Sequence, residues 1–275
     1  MTDANPFLVA ELIDAGLHRR EARWLVEEFM TEADHESIGA LRAAAQRRLS
    51  GEPLQYVLGH WPFRGLDLDL DNRVLIPRPE TEELVGVALE DLARRDVVAP
   101  TILDLGCGSG AIGLALLFEL RERGVRATLV AVDESSDALV VAKRNALKHR
   151  LHDVSFVESS WFNGLDASLR GRFDLIVANP PYVGEREFVT LDPVLGFEPF
   201  GALVADDSRE VEGFADLALV ISEAPTWLAP GATLVCEHGD MQREAAVRCA
   251  KSAGFSDVTD LDDLAGKPRI LVARR

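Results

Sequence analysis

Cysteines, membrane-length apolar runs and basic residues are all scarce in this chain of 275 residues. Its three cysteines, Cys107, Cys236 and Cys249, include no CxxC pair. An odd number without such a pair argues against a disulfide framework or a cysteine-rich zinc site and indicates a reducing, cytoplasmic setting. The longest apolar runs, such as 111–118, fall far short of the roughly 20 residues of a membrane span. No basic segment precedes an apolar stretch near the first residue, so neither a secretory signal nor a membrane partner is expected.

The shortage of basic residues restricts the partners that the protein is expected to have. Lys and Arg number 29 against 46 Asp and Glu, which gives a formal net charge of −17. Proteins that bind long nucleic acids usually present a basic face, because phosphate contacts supply much of their affinity. We therefore expect no stable nucleic-acid complex, although a local basic patch is compatible with this total. Hydrophobic residues make up 47% of the chain, an ordinary globular composition for one large domain or two smaller ones.

The first part of the chain predicts a small helical domain over residues 1–55. Ile38, Leu41, Ala45 and Leu49 recur at spacings of three and four residues, so they share one face of a helix. No strand-like alternation of apolar and polar residues occurs in this part. Helices alone are therefore expected here.

A β-hairpin is predicted as the linker over residues 56–80. Leucine alternates with aspartate in Gly65–Asp71, which is the period of a strand with one face in water. A turn signal at Asp71–Asn72 then predicts Arg73–Ile76 as the returning strand. Thr81 follows two prolines and precedes acidic residues, which is typical of a helix N-cap.

The rest of the chain, residues 81–275, alternates short apolar strands with helices, which indicates a largely parallel sheet with helices on both of its faces. The last two strands are joined by 255–268, which contains no convincing helix, so an antiparallel end to the sheet is expected. Within this connection we interpret the acidic stretch 257–263 as a solvated loop. The predicted strands are Thr101–Leu105, Ala127–Val132, Val154–Val157, Asp174–Ala178, Ala232–Glu237 and Ile270–Ala273. The predicted helices are Ala111–Arg123, Ser136–Lys148, Glu210–Leu228 and Gln242–Ala253.

A glycine-rich turn follows the first of these strands. Gly106, Gly108 and Gly110 lie directly before a helix, where glycines permit a tight turn and close approach of the backbone to a ligand. Asp133 comes at the end of the second strand, from which a carboxylate can bond the ribose hydroxyls of a nucleoside. A dinucleotide site usually reads GxGxxG, whereas this turn reads GxGxG with Asp104 ahead of it. The pattern favours S-adenosylmethionine (SAM) over a dinucleotide and over a turn without a ligand.

Asn179-Pro180-Pro181-Tyr182 follows the fourth strand and is the most specific motif of the chain. Two consecutive prolines fix the backbone and remove two amide donors, which leaves nearby carbonyl groups free to accept hydrogen bonds. Asn179 adds a side-chain acceptor, and Tyr182 adds a flat face for stacking. The motif therefore suits a planar group that bears an NH2, such as an amide or an adenine. The alternative is a rigid turn that only ends a strand.

Methyl transfer explains why such a group would be held. An amide nitrogen is a poor nucleophile because its lone pair is delocalised. If the Asn179 carboxamide oxygen and the Pro180 carbonyl accept its two N–H bonds, the nitrogen is fixed and its lone pair is aimed at the methyl donor. The residues alone leave two other functions open. These are methylation of the exocyclic amine of adenine in RNA or DNA, and binding of SAM or a nucleotide by a regulatory module without catalysis.

Taken together, these motifs make the chain similar to the PrmC/HemK family of protein-(glutamine-N5) methyltransferases, which modify peptide-chain release factors. The resemblance covers nearly the whole chain, in the family's order. It is carried by Gly51–Gly59, Leu75–Glu82, Asp104–Gly110, Asp133, Arg144–Ala146, Asn179–Tyr182, Glu198–Pro199, Ala202–Leu203, Pro230–Gly231, Glu237, Gln242 and Arg269. The chain departs from the family's pattern at Ser160, in the segment 204–214 and at His238.

The resemblance implies a fold, a cofactor and a substrate. The fold is a Rossmann-like SAM-dependent methyltransferase domain, with a mostly parallel seven-stranded sheet and an antiparallel end strand. N-terminal helices that help to recognise the release factor precede it, joined through the β-hairpin. SAM is the methyl donor and S-adenosylhomocysteine the product. The substrate is the glutamine of a Gly-Gly-Gln (GGQ) loop or, alternatively, a glutamine of another protein, and a monomer is expected.

The resemblance also implies the site residues. Cofactor-binding roles are implied for Asp104, Gly106, Cys107, Gly108, Ser109, Gly110, Asp133, Trp161 and Asn179. Substrate-binding roles are implied for Asn179, Pro180, Pro181 and Tyr182, of which Asn179, Pro180 and Tyr182 are the catalytic residues. No metal is expected, because His149 and His152 stand three residues apart with no further ligand in evidence.

Overall fold

Helices form the N-terminal part of the chain in the computed structural model, which describes residues 5–30, 35–208 and 211–275. Leucines from separate helices pack into a buried cluster of their own, and the predicted face of the third helix contributes Leu41 and Ala45 to it. The predicted domain boundary at residue 55 falls inside the fourth helix, and 1–4 and 31–34 of the predicted domain lie outside the described residues. The helices are α1 (Pro6–Asp14), α2 (Arg19–Phe29), α3 (His35–Leu49) and α4 (Leu54–Leu58).

A hairpin follows, but it uses a different partner strand from the predicted one. Its strands are β1 (His60–Phe63) and β2 (Leu66–Asp69), which pair antiparallel. β2 shows the predicted alternation of buried leucines with partly exposed aspartates. The predicted returning strand Arg73–Ile76 is wrong, because the chain turns earlier, at Arg64–Gly65, where both residues have positive φ. Two consecutive residues with positive φ form a hairpin turn whose twist matches that of the two strands. The sequence patterns did not predict β1, because it contains Pro62 and proline is rare in strands.

The remaining elements build a sheet of seven strands with helices on both faces. The order of the strands is β5-β4-β3-β6-β7-β9-β8, and the first five pair parallel. The helices and strands are α5 (Pro79–Arg94), β3 (Thr101–Leu105), α6 (Ala111–Glu122), β4 (Thr128–Asp133), α7 (Ser136–Lys148), β5 (Val154–Glu158), β6 (Phe173–Ala178), α8 (Glu185–Phe188), α9 (Phe200–Leu203), α10 (Ala215–Trp227), β7 (Leu228–Glu237), α11 (Arg243–Ser252), β8 (Asp257–Asp262) and β9 (Pro268–Arg274). This confirms the predicted α/β class.

Neighbouring residues of the central strand β3 serve two hydrophobic cores. Ile102 lies in the core shared with α5, α6 and α7, whereas Leu103 lies in the core shared with α10 and α11. Successive side chains of a strand point to opposite faces of the sheet, so both cores are anchored on the same strand. The predicted start of the tenth helix at Glu210 lies outside the described residues, and α10 begins at Ala215.

The antiparallel end of the sheet is confirmed, and it contains one more strand than the sequence patterns predicted. β9 runs antiparallel both to β7 and to β8, which forms the edge. The interpretation of 257–263 as a solvated loop is therefore wrong for most of its length. Its aspartates are compatible with an edge strand, because charged side chains protect an exposed edge from pairing with other chains. Among the described residues, no helix is both long and apolar enough to cross a membrane.

One buried side chain ties the chain segments beyond β6 and β7 together. The Gln242 amide nitrogen donates to the carbonyl oxygens of Tyr182, Glu212 and Gly213, each at 3.1 Å, and its oxygen accepts the Gly239 N–H. Gly213 has φ of +63°, and a Cβ on it would lie 2.4 Å from the Tyr182 carbonyl oxygen. The close approach at this point therefore requires glycine.

We expect Gly213→Ala to lower the free energy of unfolding by roughly 2 kcal/mol, because the methyl group meets backbone and the φ value is strained for alanine. Urea denaturation measures the change. Gly39→Ala is the matched control, since Gly39 lies in α3 with no atom within 4 Å of an added Cβ. It is expected to raise stability by about 0.5–1 kcal/mol. Equal effects of the two substitutions would contradict the assignment.

Candidate active site

A cavity of about 460 Å³ opens where the parallel strands end. Its walls include Gly106, Asp133 and Asn179, which lie at the carboxyl ends of β3, β4 and β6. The chain leaves β3 toward β4 on one side, and β6 pairs on the other side. In open α/β sheets this reversal of strand order is where ligands bind, because the loops diverge there and leave a crevice.

The glycine-rich turn forms one wall of this cavity. Gly106, Gly108 and Gly110 all have positive φ, between +53° and +83°, as the predicted tight turn requires. Gly106 and Gly108 line the cavity, whereas Cys107 and Ser109 are buried beneath the turn. Gly110 caps α6 and does not line the cavity. Burial raises the pKa of Cys107 well above its usual value, which fits a packing residue and not a nucleophile.

Asp133 is both a wall residue and a support of the turn. Its Oδ2 accepts the Gly108 N–H at 2.8 Å, and its Oδ1 accepts the Ser135 N–H at 2.9 Å. Burial raises its pKa, and these N–H bonds oppose the rise. Each carboxylate oxygen keeps a further lone pair, so Asp133 can still accept bonds from a pair of ligand hydroxyls.

Asp104 lies behind the cavity and not on its wall. It is completely buried, and its Oδ2 accepts the Gly113 N–H at 2.9 Å. Burial raises its pKa to about 7. Its Oδ1 has no partner among the described residues and is buried away from the cavity wall. Sequence reasoning missed Gly113, which with Gly108 and Gly110 gives the spacing GxGxxG, so the glycine spacing alone does not separate SAM from a dinucleotide. A Cβ on Gly113 would lie 2.7 Å from Leu129, so this glycine permits close packing of helix on strand.

Trp161 also lines the cavity, and its backbone has an unusual conformation. Its φ is +50°, which is rare for a bulky residue, and its ring passes close to Gly106. Its indole N–H donates to Asp216 Oδ1 at 3.0 Å. Asp216 also lines the cavity, with a pKa raised by burial, and the sequence patterns did not point to it. Ser160 lines the cavity next to Trp161.

The Asn-Pro-Pro-Tyr motif meets the cavity through only two of its side chains. Asn179 and Pro181 line it, whereas Pro180 is buried and Tyr182 does not line it. Among the described residues, none donates a hydrogen bond to Asn179 Oδ1 or to the Pro180 carbonyl oxygen. Both oxygens are thus free to accept, as predicted from the paired prolines.

Tyr182 packs behind the motif. The Arg269 guanidinium lies over its ring, 5.8 Å from the centroid, and Gly239 lies beside it. Its hydroxyl donates to Glu237 Oε1 at 3.3 Å, and burial raises its pKa. The structure thus gives the ring protein neighbours, and its stacking on a substrate stays a prediction.

Thr81 lies inside α5 and is not its N-cap. The helix α5 begins two residues earlier, at Pro79, and no side chain caps it, so the prediction of Thr81 as the N-cap is wrong. Proline at the first helical position starts the helix instead, since its fixed φ suits it. Thr81 is buried beside Asn179 and donates to Glu237 Oε2 at 2.8 Å. No local pattern could have placed a threonine of α5 in the site.

The linker residues 73–75 and the segment 199–206 complete the walls of the cavity, and the buried carboxylate of Glu198 joins the two. Glu198 accepts the Ile76 N–H at 3.0 Å and a bond from the Arg78 guanidinium at 2.6 Å. It thereby fastens the start of 199–206 to the linker that leads out of the hairpin. The wall residues from these segments are Arg73, Val74, Leu75, Pro199, Gly201, Ala202, Val204 and Asp206.

These residues fit SAM. Gly108 has open space around a would-be Cβ, so the backbone is accessible to a ligand there. Asp133 offers paired acceptors for the ribose hydroxyls, and the Trp161 ring offers an aromatic face for adenine. Asp104 is buried and does not line the cavity, so its contact with the amino group of SAM stays a prediction.

We expect Asp133→Ala to weaken SAM binding about tenfold to hundredfold, because hydrogen bonds to a charged group contribute about 1.5–3 kcal/mol. Isothermal titration calorimetry measures the Kd. Glu158→Ala is the matched control, since Glu158 occupies the same register position on β5, is exposed and does not line the cavity. An unchanged Kd for Asp133→Ala, or an equal loss in the control, would refute the assignment.

Comparison with solved structures agrees with the fold. The hMettl16 catalytic domain in complex with MAT2A 3′UTR hairpin 6 matches with a TM-score of 0.57 at 16% identity, over 88% of this chain and 82% of that one. The T. thermophilus 16S rRNA methyltransferase RsmC in complex with AdoMet and guanosine matches with a TM-score of 0.55 at 18% identity, over 78% of this chain and 49% of that one. At such identities the likeness shows the fold alone.

Comparison of sequences assigns the family. A family model described as a methyltransferase domain matches residues 98–262, and the PrmC N-terminal domain model matches residues 2–59. The release factor glutamine methyltransferase of Bordetella pertussis is 40% identical over 273 residues, covering 94% of this chain and 96% of that protein. The protein of the same name from Yersinia pestis is 38% identical, covering 96% and 91%. The chain is therefore a methyltransferase that belongs to the release factor glutamine methyltransferase family.

Proposed function

We propose that this protein transfers the methyl group of SAM to the side-chain amide nitrogen of the glutamine in the GGQ loop of peptide-chain release factors. The observation that carries the proposal is Asn179, whose Oδ1 is a free acceptor, at the wall of a cavity that fits SAM, with the free carbonyl of the buried Pro180 next to it in the chain. The relatives named for release factors support this substrate.

The chemistry follows from how these acceptors hold an amide. When bound, SAM supplies a methyl group on a positively charged sulfur. The Asn179 and Pro180 oxygens accept the two N–H bonds of the glutamine amide, so the nitrogen can only turn its lone pair toward the cavity. Fixed acceptors also favour the partial positive charge that the nitrogen gains during attack. No base is needed first, since a proton can leave after the methyl group arrives.

Adenine methylation is the second candidate, because adenine also presents a planar NH2 to the same acceptors. An enzyme of this kind must hold an extruded base and its phosphates. The net charge of −17 works against phosphate binding. The PrmC N-terminal domain and the names of the relatives further favour the glutamine of a protein.

We expect Asn179→Ala to reduce methyl transfer at least about hundredfold while SAM still binds, because loss of one fixed hydrogen-bonding group in an active site has that effect. Incubation with SAM and purified release factors, followed by mass spectrometry, measures the rate and locates the methyl group. Asn163→Ala is the control, since Asn163 is exposed on a turn.

Full activity of Asn179→Ala would refute the mechanism. A methyl group found on RNA, and none on the GGQ glutamine, would overturn the substrate.

The charge of the protein fits a protein substrate that works beside RNA. We expect basic surroundings for a loop that works beside ribosomal RNA, and an acidic enzyme would then attract the loop and repel the RNA. On this proposal the enzyme acts as a monomer in the cytoplasm, forms no stable complex with nucleic acid and has no membrane partner. Cys107, Cys236 and Cys249 are all free thiols, which supports a reducing compartment.

We expect kcat/KM for the release factor to fall as salt is raised from about 0.05 M to 0.5 M, because screening shortens the range of attraction between opposite charges. Initial rates at subsaturating release factor measure the effect. The Kd for SAM, measured in the same buffers, separates cofactor binding from docking. A kcat/KM that does not change with salt would contradict a role of the net negative charge in substrate selection.

A further inference from the structure

We propose that Thr81 and Glu237 are positioning residues that hold the Asn179 carboxamide in one orientation, with its oxygen toward the cavity and its nitrogen away from it. This inference rests on the proposed function, since it concerns the acceptor that would hold the substrate amide. The three side chains come from α5, from the end of β7 and from the turn after β6.

The hydrogen bonds form a directed chain. Asn179 Nδ2 donates to Thr81 Oγ1 at 3.3 Å, and the Thr81 hydroxyl donates to Glu237 Oε2 at 2.8 Å. A hydroxyl has one proton, and a carboxylate can only accept. Because the Thr81 hydroxyl donates its one hydrogen bond to Glu237, its oxygen can only accept from Asn179, so the nitrogen end of the amide faces Thr81. Asn179 Oδ1 then points the other way.

Glu237 holds the end of this chain firmly. It is 1% exposed, and its other oxygen accepts from the Tyr182 hydroxyl at 3.3 Å. Burial raises its pKa, as does the charge of Glu80, while the bonds from Thr81 and Tyr182 and the positive charge of Arg269 lower it. The net effect is a raised pKa, so the accepting role of Glu237 rests on the geometry, in which each of its oxygens faces a hydroxyl group.

The orientation matters because the two ends of a carboxamide are similar in shape and opposite in hydrogen bonding. An amide rotated by 180° would present N–H groups to the N–H groups of the substrate, and the substrate nitrogen would lose one of its two acceptors. Among the described residues, no group other than Thr81 hydrogen-bonds the Asn179 side chain, so without Thr81 neither orientation is preferred. Thr81 and Glu237 do not line the cavity, so they act through the motif, Thr81 through Asn179 and Glu237 through Thr81 and Tyr182.

The test compares two substitutions of Thr81. Thr81→Val keeps the shape and removes the hydroxyl, and we expect kcat for release factor methylation to fall about tenfold to hundredfold, as for a misplaced reacting group. Thr81→Ser restores the hydroxyl, and we expect most of the rate to return. The Kd for SAM should change less than about twofold in both variants, because Thr81 does not line the cavity.

Two further variants keep the test decisive. Thr233→Val is the matched control, because Thr233 is equally buried on β7 and does not line the cavity, and its kcat should equal that of the wild type. Glu237→Gln introduces an NH2 group that can donate to Thr81, so the hydrogen bonds can also run from residue 237 through Thr81 to Asn179. We therefore expect kcat to fall between the values of the wild type and of Thr81→Val. The Tm of each variant shows whether it is folded, and Glu237→Gln carries the test if Thr81→Val does not fold.

The outcomes separate this inference from the proposed function. An unchanged kcat in Thr81→Val or in Glu237→Gln overturns the positioning role while wild-type methylation of the release factor stands. Equal losses in Thr81→Val and Thr81→Ser also overturn it, because the hydroxyl would then not be the active feature. If the wild type places no methyl group on the glutamine, the proposed function fails, and the positioning role falls with it.

Discussion

The parallel pairing of β3 with β6 is the contact on which the rest of the site depends. In this pairing Leu105 lies opposite Ala178, so the glycine-rich turn and the Asn-Pro-Pro-Tyr motif leave the sheet side by side. The turn is predicted to hold the methyl donor and the motif the methyl acceptor, so neither is sufficient alone. Because β4 pairs on the other side of β3, Asp133 joins them at the same edge. A slip of two residues in either pairing would move one half of the site by roughly 7 Å and separate donor from acceptor.

Buried carboxylates also help to position the segments around the site. Glu198 fastens the linker to the segment that follows the motif, and Glu237 orders the polar groups behind Asn179. Both accept hydrogen bonds at each oxygen, which is how a buried acid remains compatible with a stable fold. The net negative charge thus has an internal component that shapes the cavity, besides the surface component that acts on the partner.

Much of the fold and half of the site could be predicted, because they depend on local patterns. β3 and α7 have the bounds that apolar period and flanking residues predicted, and Gly106, Gly108, Asp133 and Asn179 all reach the cavity. The rest of the site could not be predicted, because it depends on contacts between residues far apart in the sequence. Thr81 meets partners 98 and 156 residues away, so its local setting showed only a helix start. β8 shows no apolar pattern because it is an edge strand, and β1 contains a proline.

Trp161 combines backbone strain with side-chain packing. A residue with φ of +50° that is not glycine costs about 1–2 kcal/mol, and the bond to Asp216 and the packing of the ring against the core shared with α10 and α11 oppose this cost. Glycine at this position would relax the backbone but leave no aromatic wall. It would also remove the packing of the ring against the core, so the stability of a Trp161 variant depends on both effects. A screen for stability alone would accordingly report on strain and packing, and only a measurement of SAM binding would report on the predicted contact with adenine.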